Sequence, residues 1–184
     1  MDLNTTGHLA VVAVPKNGEV IKLGKKSRNY RSKLSQTCFK LRKEKKFREI
    51  KRIRNRERSL VKDLNQMISR AIVETARCYE CGIKLERLFG TGGNRKKQGY
   101  TLEFHFDTRS FYQLQRMVES KARKAGVPVA YIDPSWTSTR CRVCGQMGIR
   151  HRKRFECPHC GHADHADVNA AFNIAATPVL EGIC

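Results

Sequence analysis

Cys141-Arg142-Val143-Cys144-Gly145 and Cys157-Pro158-His159-Cys160-Gly161 are the stretches on which the reading of this chain turns. Each is a C-x-x-C pair followed directly by glycine. Two such pairs supply four thiolates, and the twelve residues from Gly145 to Glu156 are enough for a short hairpin that lets the pairs face each other. The glycines stand where a tight knuckle turn needs a residue without a Cβ. The pattern predicts a zinc ribbon with Cys141, Cys144, Cys157 and Cys160 as ligands. With sulfur at all four positions the site is closed, hence structural, and the Zn2+ supplies folding energy to an insert too small for its own core. His151, His159 and His162 lie in or beside the ribbon and read as surface or phosphate contacts. Cys78-x-x-Cys81 has no second pair nearby and reads as small apolar residues at a helix end. Cys184 is assigned no role.

Working outward, the ribbon is basic, with Arg140, Arg142, Arg150, Arg152, Lys153 and Arg154. So is the whole chain, which carries a net charge of +20 over 184 residues. The charge concentrates between Lys25 and Lys62, where only Glu44, Glu49 and Glu57 oppose it. Such a density repels itself unless a polyanion shares the space, and a nucleic-acid backbone is the expected partner. Lys45, Lys46, Arg52, Arg54, Arg56, Arg140, Arg152 and Arg154 are the candidate contacts. A solvated helix face is the plainer alternative. No apolar run is long enough to cross a membrane, and no segment has the order of a signal peptide, so no membrane partner and a cytoplasmic address are expected.

The rest of the chain reads as α/β. Leu9 to Leu23 is a hairpin around the turn Pro15-Lys16-Asn17-Gly18, and Leu3 ends an earlier strand across a turn at Asn4-Thr5-Thr6-Gly7. Tyr30 to about Ala76 contains neither Pro nor Gly and forms one or two long helices. Ile50, Ile53, Leu60, Leu64, Met67, Ile68, Ala71 and Ile72 make an apolar stripe expected to dock on the sheet. Ile83 to Leu88 is a strand, Gly90 to Gly99 a basic loop, Phe111 to Ala125 a helix, Val127 to Ile132 a strand and Ala166 to Ala176 a closing helix. This order matches a ribonuclease-H-like layout. Three acids stand apart from the basic helices: Asp2, Glu86 and Asp167. Two-metal nucleases hold Mg2+ with carboxylates from distant parts of the chain, since hard cations need oxygen ligands. Each acid also has a plainer reading: a solvated end for Asp2, an outward-facing strand position for Glu86, helix capping for Asp164 and Asp167.

The run Tyr131-Ile132-Asp133-Pro134-Ser135-Trp136-Thr137-Ser138-Thr139-Arg140-Cys141, the two cysteine pairs, and Asp167-Val168-Asn169-Ala170-Ala171-Phe172-Asn173 together resemble the C-terminal half of TnpB proteins. These are transposon-encoded, RNA-guided DNA endonucleases related to type V CRISPR effectors. The resemblance extends to Met1-Asp2-Leu3-Asn4, to the basic helix from Tyr30, to Ile83-Lys84-Leu85-Glu86-Arg87-Leu88 and to Ala125-Gly126-Val127-Pro128-Val129. It implies a RuvC-like mixed sheet with a long basic helix (30–77). The core would span 1–136, the ribbon insert 137–163, and the final helix with the third motif 164–184. It further implies a catalytic, Mg2+- or Mn2+-binding set of Asp2, Glu86 and Asp167, with Asp164 as helper, and hydrolysis of DNA phosphodiesters. The family's guide-RNA-binding N-terminal half has no counterpart in this sequence, so guide RNA would be held by a missing or separate half. The alternatives are a zinc-ribbon fragment or subunit that binds nucleic acid without cutting it, and a ribosome-associated ribbon protein.

Overall fold

The computed structural model describes residues 1–3, 8–25, 27–87 and 102–179. The turn expected at Asn4–Gly7, the loop Gly90–Gly99, Leu88 and Cys184 lie outside them. The apolar run after Leu9 forms a strand, β2 (Ala10–Val14), between β1 (Asp2–Leu3) and β3 (Glu19–Leu23), both antiparallel to it. An unbroken apolar run suits a strand covered on both faces. Here Ala10 and Val12 face one core, while Val11 and Ala13 face a second one with Val168 and Ala171.

The basic segment is two helices, α1 (Ser27–Lys43) and α2 (Phe47–Cys78). They divide at Glu44–Lys46, where Lys45 takes a left-handed φ of 56°. On α2 the buried residues are Ile50, Val61, Asn65, Ile68, Ser69, Ile72, Val73 and Ala76, with Leu64 half-buried against the same core. Leu60 and Met67 of the expected stripe face outward instead. A step of one residue turns a side chain about 100° round a helix, and α2 must present one stripe both to the sheet and to α3 (Leu102–Lys124). That second demand brings Asn65 inward, where its amide donates to Ser110 O at 3.1 Å and Gln113 Oε1 at 3.1 Å.

Strand β4 (Ile83–Glu86) runs parallel to β5 (Val129–Ile132), joined through α3 as a parallel pair requires. The Met1 nitrogen donates to Lys84 O at 3.0 Å, which sets β1 beside β4. Ile83 and Leu85 enter the core with Ile68, Ile72, Leu114 and Val118, leaving Lys84 and Glu86 on the other face. The second cysteine region is a three-stranded antiparallel sheet, β6 (Ile149–His151), β7 (Arg154–Glu156) and β8 (Ala163–His165). The chain then enters α4 (Ala166–Ala176), which packs on β1, β2 and β4 from the face opposite α2 and α3. The architecture is mixed α/β, and no helix among the described residues is long and apolar enough to cross a membrane.

Candidate metal centre and carboxylate site

The two C-x-x-C segments fold as near copies of one knuckle. Cys141 N donates to Gln146 O at 2.8 Å and Gly145 N to Cys141 O at 2.9 Å; Cys157 N donates to His162 O at 2.8 Å and Gly161 N to Cys157 O at 3.0 Å. Gly145 and Gly161 have φ of 75° and 72°, the left-handed turn that their glycines permit. The four ligand sulfurs lie within 4.8 Å of one another. Cys141 Sγ is 3.7 Å from Cys160 Sγ, and Cys144 Sγ is 3.5 Å from Cys157 Sγ. A disulfide would need about 2.05 Å, whereas a tetrahedron with Zn–S arms of about 2.3 Å has edges of about 3.8 Å. The spacing therefore fits a metal. Desolvation opposes ionisation of Cys157, but the Cys160 and His159 amides, with the Cys144 and Cys160 thiols, outweigh it and bring its pKa down to about 6. The His162 amide favours ionisation of Cys160, but desolvation and its three thiol neighbours push it up to about 12. A cation shared by the four would remove that conflict. Among the described residues this is the one group of three or more metal-ligating side chains gathered so closely. His151 and His159 are exposed, and His162 is half-buried, its ring tilted against Phe155 at 6.4 Å between centroids.

The three singled-out acids lie around α4. Asp2 is buried on β1, Asp167 is 1% exposed in the first turn of α4, and Glu86 is half-buried at the end of β4. Burial lowers the Met1 amino group to about 6, against the pull of Asp2 and Glu86. Asp2, Glu86 and Asp167 do not converge as the cysteines do. Asp167 has other partners: Arg150 Nη2 at 3.0 Å and Lys153 Nζ at 2.5 Å, both from the β6–β7 hairpin. Its own amide donates to His165 Nδ1 at 3.3 Å, so His165, and neither aspartate, is the N-cap of α4. Asp164 lies on β8, bonded to Arg142 Nε at 3.0 Å. Burial, then Lys22 and Lys25, holds the His8 imidazole below its usual pKa, while Asp167 acts in the opposite sense.

Sequence reading missed the residues that fasten this region together. Thr137, 4% exposed, donates through Oγ1 to Glu86 Oε1 at 2.6 Å, with Pro134 O a second acceptor at 3.1 Å. Asn169 Nδ2 donates to Arg140 O at 2.7 Å, and its Oδ1 accepts from Arg142 N at 3.0 Å. Asn173, one turn on, donates to Thr137 O at 2.9 Å and Arg140 O at 2.6 Å. The i, i+4 spacing of two asparagines among the apolar residues that follow Asp167 was the available signal. The Arg142 guanidinium lies 4.6 Å from the centre of the Phe172 ring, a cation–π contact on the same strap.

Of the expected nucleic-acid contacts, Lys45, Lys46, Arg52, Arg56, Arg140, Arg152 and Arg154 are exposed and Arg54 is half-buried. Lys46 pairs with Glu44 at 2.8 Å and Arg154 pairs with Glu156. Both pairs are exposed and worth little, so they leave those cations open to exchange for a phosphate.

Residues 111–174 match the family described as Cas12f1-like, TNB domain. The chain is 35% identical over 138 residues to the CRISPR-associated endodeoxyribonuclease Cas12f1 of Sulfoacidibacillus thermotolerans, covering 72% of this chain and 31% of that protein. It is 29% identical over 120 residues to a TnpB-like protein of Methanocaldococcus jannaschii, covering 65% and 43%. The fold resembles a solved Cas12f1–sgRNA–target DNA complex with a TM-score of 0.64 and 18% identity, over 85% of this chain and 43% of that one. The chain thus spans less than half the length of each. Within that shared length, the chain is related to the TnpB family and the type V CRISPR effectors.

Proposed function

We propose that the chain is the ribonuclease-H-like, RuvC-like nuclease core of a TnpB-type RNA-guided DNA endonuclease. Residues 1–136 and 164–184 would form the core and 137–163 a zinc ribbon inserted in it. The observation that supports this reading is the packing of α4, which bears Asp167, against both β1, which bears Asp2, and β4, which bears Glu86. The strand order supports it, with three antiparallel strands, then β4 beside β1 and β5 parallel to β4. DNA as substrate and RNA as guide are what the names of the relatives and the neighbouring complex suggest.

Asp2, Glu86 and Asp167 have the donor chemistry for Mg2+ or Mn2+. When bound, such ions activate water and stabilise the leaving oxygen in phosphodiester hydrolysis. Arg150 and Lys153 engage Asp167, so holding such an ion there would mean loosening these pairs, which would leave both cations available to a phosphate. Thr137 fixes the Glu86 carboxylate, and Asn173 holds the Thr137 carbonyl. The exposed cations of α2 and the ribbon hold the strand backbone.

The test is cleavage of end-labelled single-stranded DNA in Mg2+ or Mn2+, supplied with guide RNA and the guide-binding half of a relative. Cleavage is expected from the wild-type chain and should vanish in Asp167→Ala and Glu86→Gln. Cleavage that survives both substitutions overturns the assignment. A second reading, a subunit that binds nucleic acid without cutting, is favoured by the Arg150 and Lys153 ion pairs that engage Asp167. It predicts DNA binding, with no cleavage under any of these conditions.

A further inference from the structure

The chain has one tryptophan, Trp136, and its placement is unusual on three counts. Its side chain is 62% exposed. Its φ is 65°, a left-handed backbone that a bulky side chain rarely adopts. Residues on both sides of it are fastened. Asp133 Oδ1 accepts from Ser135 N at 2.9 Å and Ser135 Oγ at 2.7 Å. Thr137 is tied to Glu86 and Asn173. Trp136 O accepts from Thr139 N at 3.1 Å and Arg140 N at 2.9 Å. A scaffold that over-determines a strained backbone in order to hold an indole in water points to a use for the ring.

We infer that Trp136 is a stacking platform for a base of the single DNA strand that the carboxylate site acts on. This deepens the nucleic-acid reading above and rests on it. The neighbouring Thr137 bonds Glu86 directly, so a base on the indole lies one residue from the carboxylate set. Arg140, on the same turn, is exposed and has no ion pair among the described residues, which leaves it available to a phosphate. Val143, Met147 and Ile149 of the ribbon are exposed apolar side chains as well. A flat apolar ring beside a cation complements a nucleotide, which joins a π-face to a phosphate. A base-paired duplex, whose faces are already stacked, would gain little from it.

The single tryptophan makes the test direct. The full chain is titrated with labelled oligo-dT, with binding read by anisotropy of the label and stacking by quenching of tryptophan emission. A strand of the same length lacking its bases is the control. Binding with quenching by oligo-dT, and binding without quenching by the abasic strand, is the expected result. Trp136→Gly suits the left-handed φ, so it should melt no lower than wild type while oligo-dT affinity falls about tenfold. Trp136→Phe should recover most of that loss. Binding without quenching, or unchanged affinity in Trp136→Gly, overturns the stacking role and leaves the nucleic-acid reading standing. No binding to either strand overturns both.

Discussion

Lys153, at the turn of the ribbon hairpin, closes on Asp167, in the first turn of α4, with 2.5 Å between Nζ and Oδ2. The Asp167 carboxylate is almost fully buried, whereas Lys153 is 32% exposed. A buried carboxylate that loses a cation costs stability, but solvent at the lysine end and the remaining Arg150 limit the loss. Lys153→Met should therefore lower stability by about 1–2 kcal/mol. It should also strengthen Mn2+ binding at the carboxylates, because one competing cation is gone. Chemical denaturation and Mn2+ titration by paramagnetic relaxation measure the two effects, and unchanged Mn2+ affinity would show that Lys153 does not compete for Asp167.

The clamp from α4 makes a separate prediction. Asn173→Ala removes two hydrogen bonds and leaves the Thr137 carbonyl without its amide donor. The expected cost is about 2 kcal/mol. For a chain of this length that is a fall in Tm of about 4–8 °C. Asn169→Ala added to it should cost more than the sum of the two, since either single variant leaves Arg140 O one amide donor and the double variant leaves it neither. Strict additivity in thermal melts would mean that the two asparagines act independently.

For the cysteine cluster the expectation is one tightly held Zn2+ per chain, lost in Cys144→Ser. Removing one thiolate leaves three ligands on an ion that the ribbon needs for folding. Elemental analysis of the purified variant decides it, and zinc retained at the wild-type ratio would rule out Cys144 as a ligand.

On α2, replacing Arg52, Arg54 and Arg56 by Gln should weaken DNA binding at every sequence alike. The slope of log K against log salt should fall by about 2–3, close to one unit for each phosphate left without its arginine. A slope equal to that of the wild-type chain would place the phosphate backbone elsewhere.

How much of this was legible depended on how local the cause was. The hairpin from Leu9 to Leu23 and the helix from Ala166 to Ala176 follow from turn residues and apolar patterning, and both appear where expected. So do the knuckles, because C-x-x-C-G constrains its own backbone. The division at Lys45 carries no Gly or Pro to announce it. Strand β8 is only Ala163–His165 and exists because β7 offers it an edge. Leu60 and Met67 read as core because helical spacing alone cannot say that α3 shares the face of α2. The roles of Asn169, Asn173 and Thr137 depend on where a strap some thirty residues away comes to lie, which no local pattern encodes. The pairing of Asp167 with Arg150 and Lys153 is of the same kind: both cations were read as part of a basic surface, and only the hairpin fold aims them inward.

Helix α4 has a further consequence. Val168 and Ala171 seal the Val11–Ala13 side of the sheet, while Asn169 and Asn173 of the same helix grip the strap that leads into the cysteine knuckles. The ribbon is therefore expected to have no melting transition of its own. Heat that frees the strap also uncovers β2, and calorimetry of the metal-loaded chain should show ribbon and sheet leaving the folded state in one cooperative step. Stripping the metal should shift that whole step downward, so that an ion held by the four cysteines would govern the thermal fate of strands it never touches.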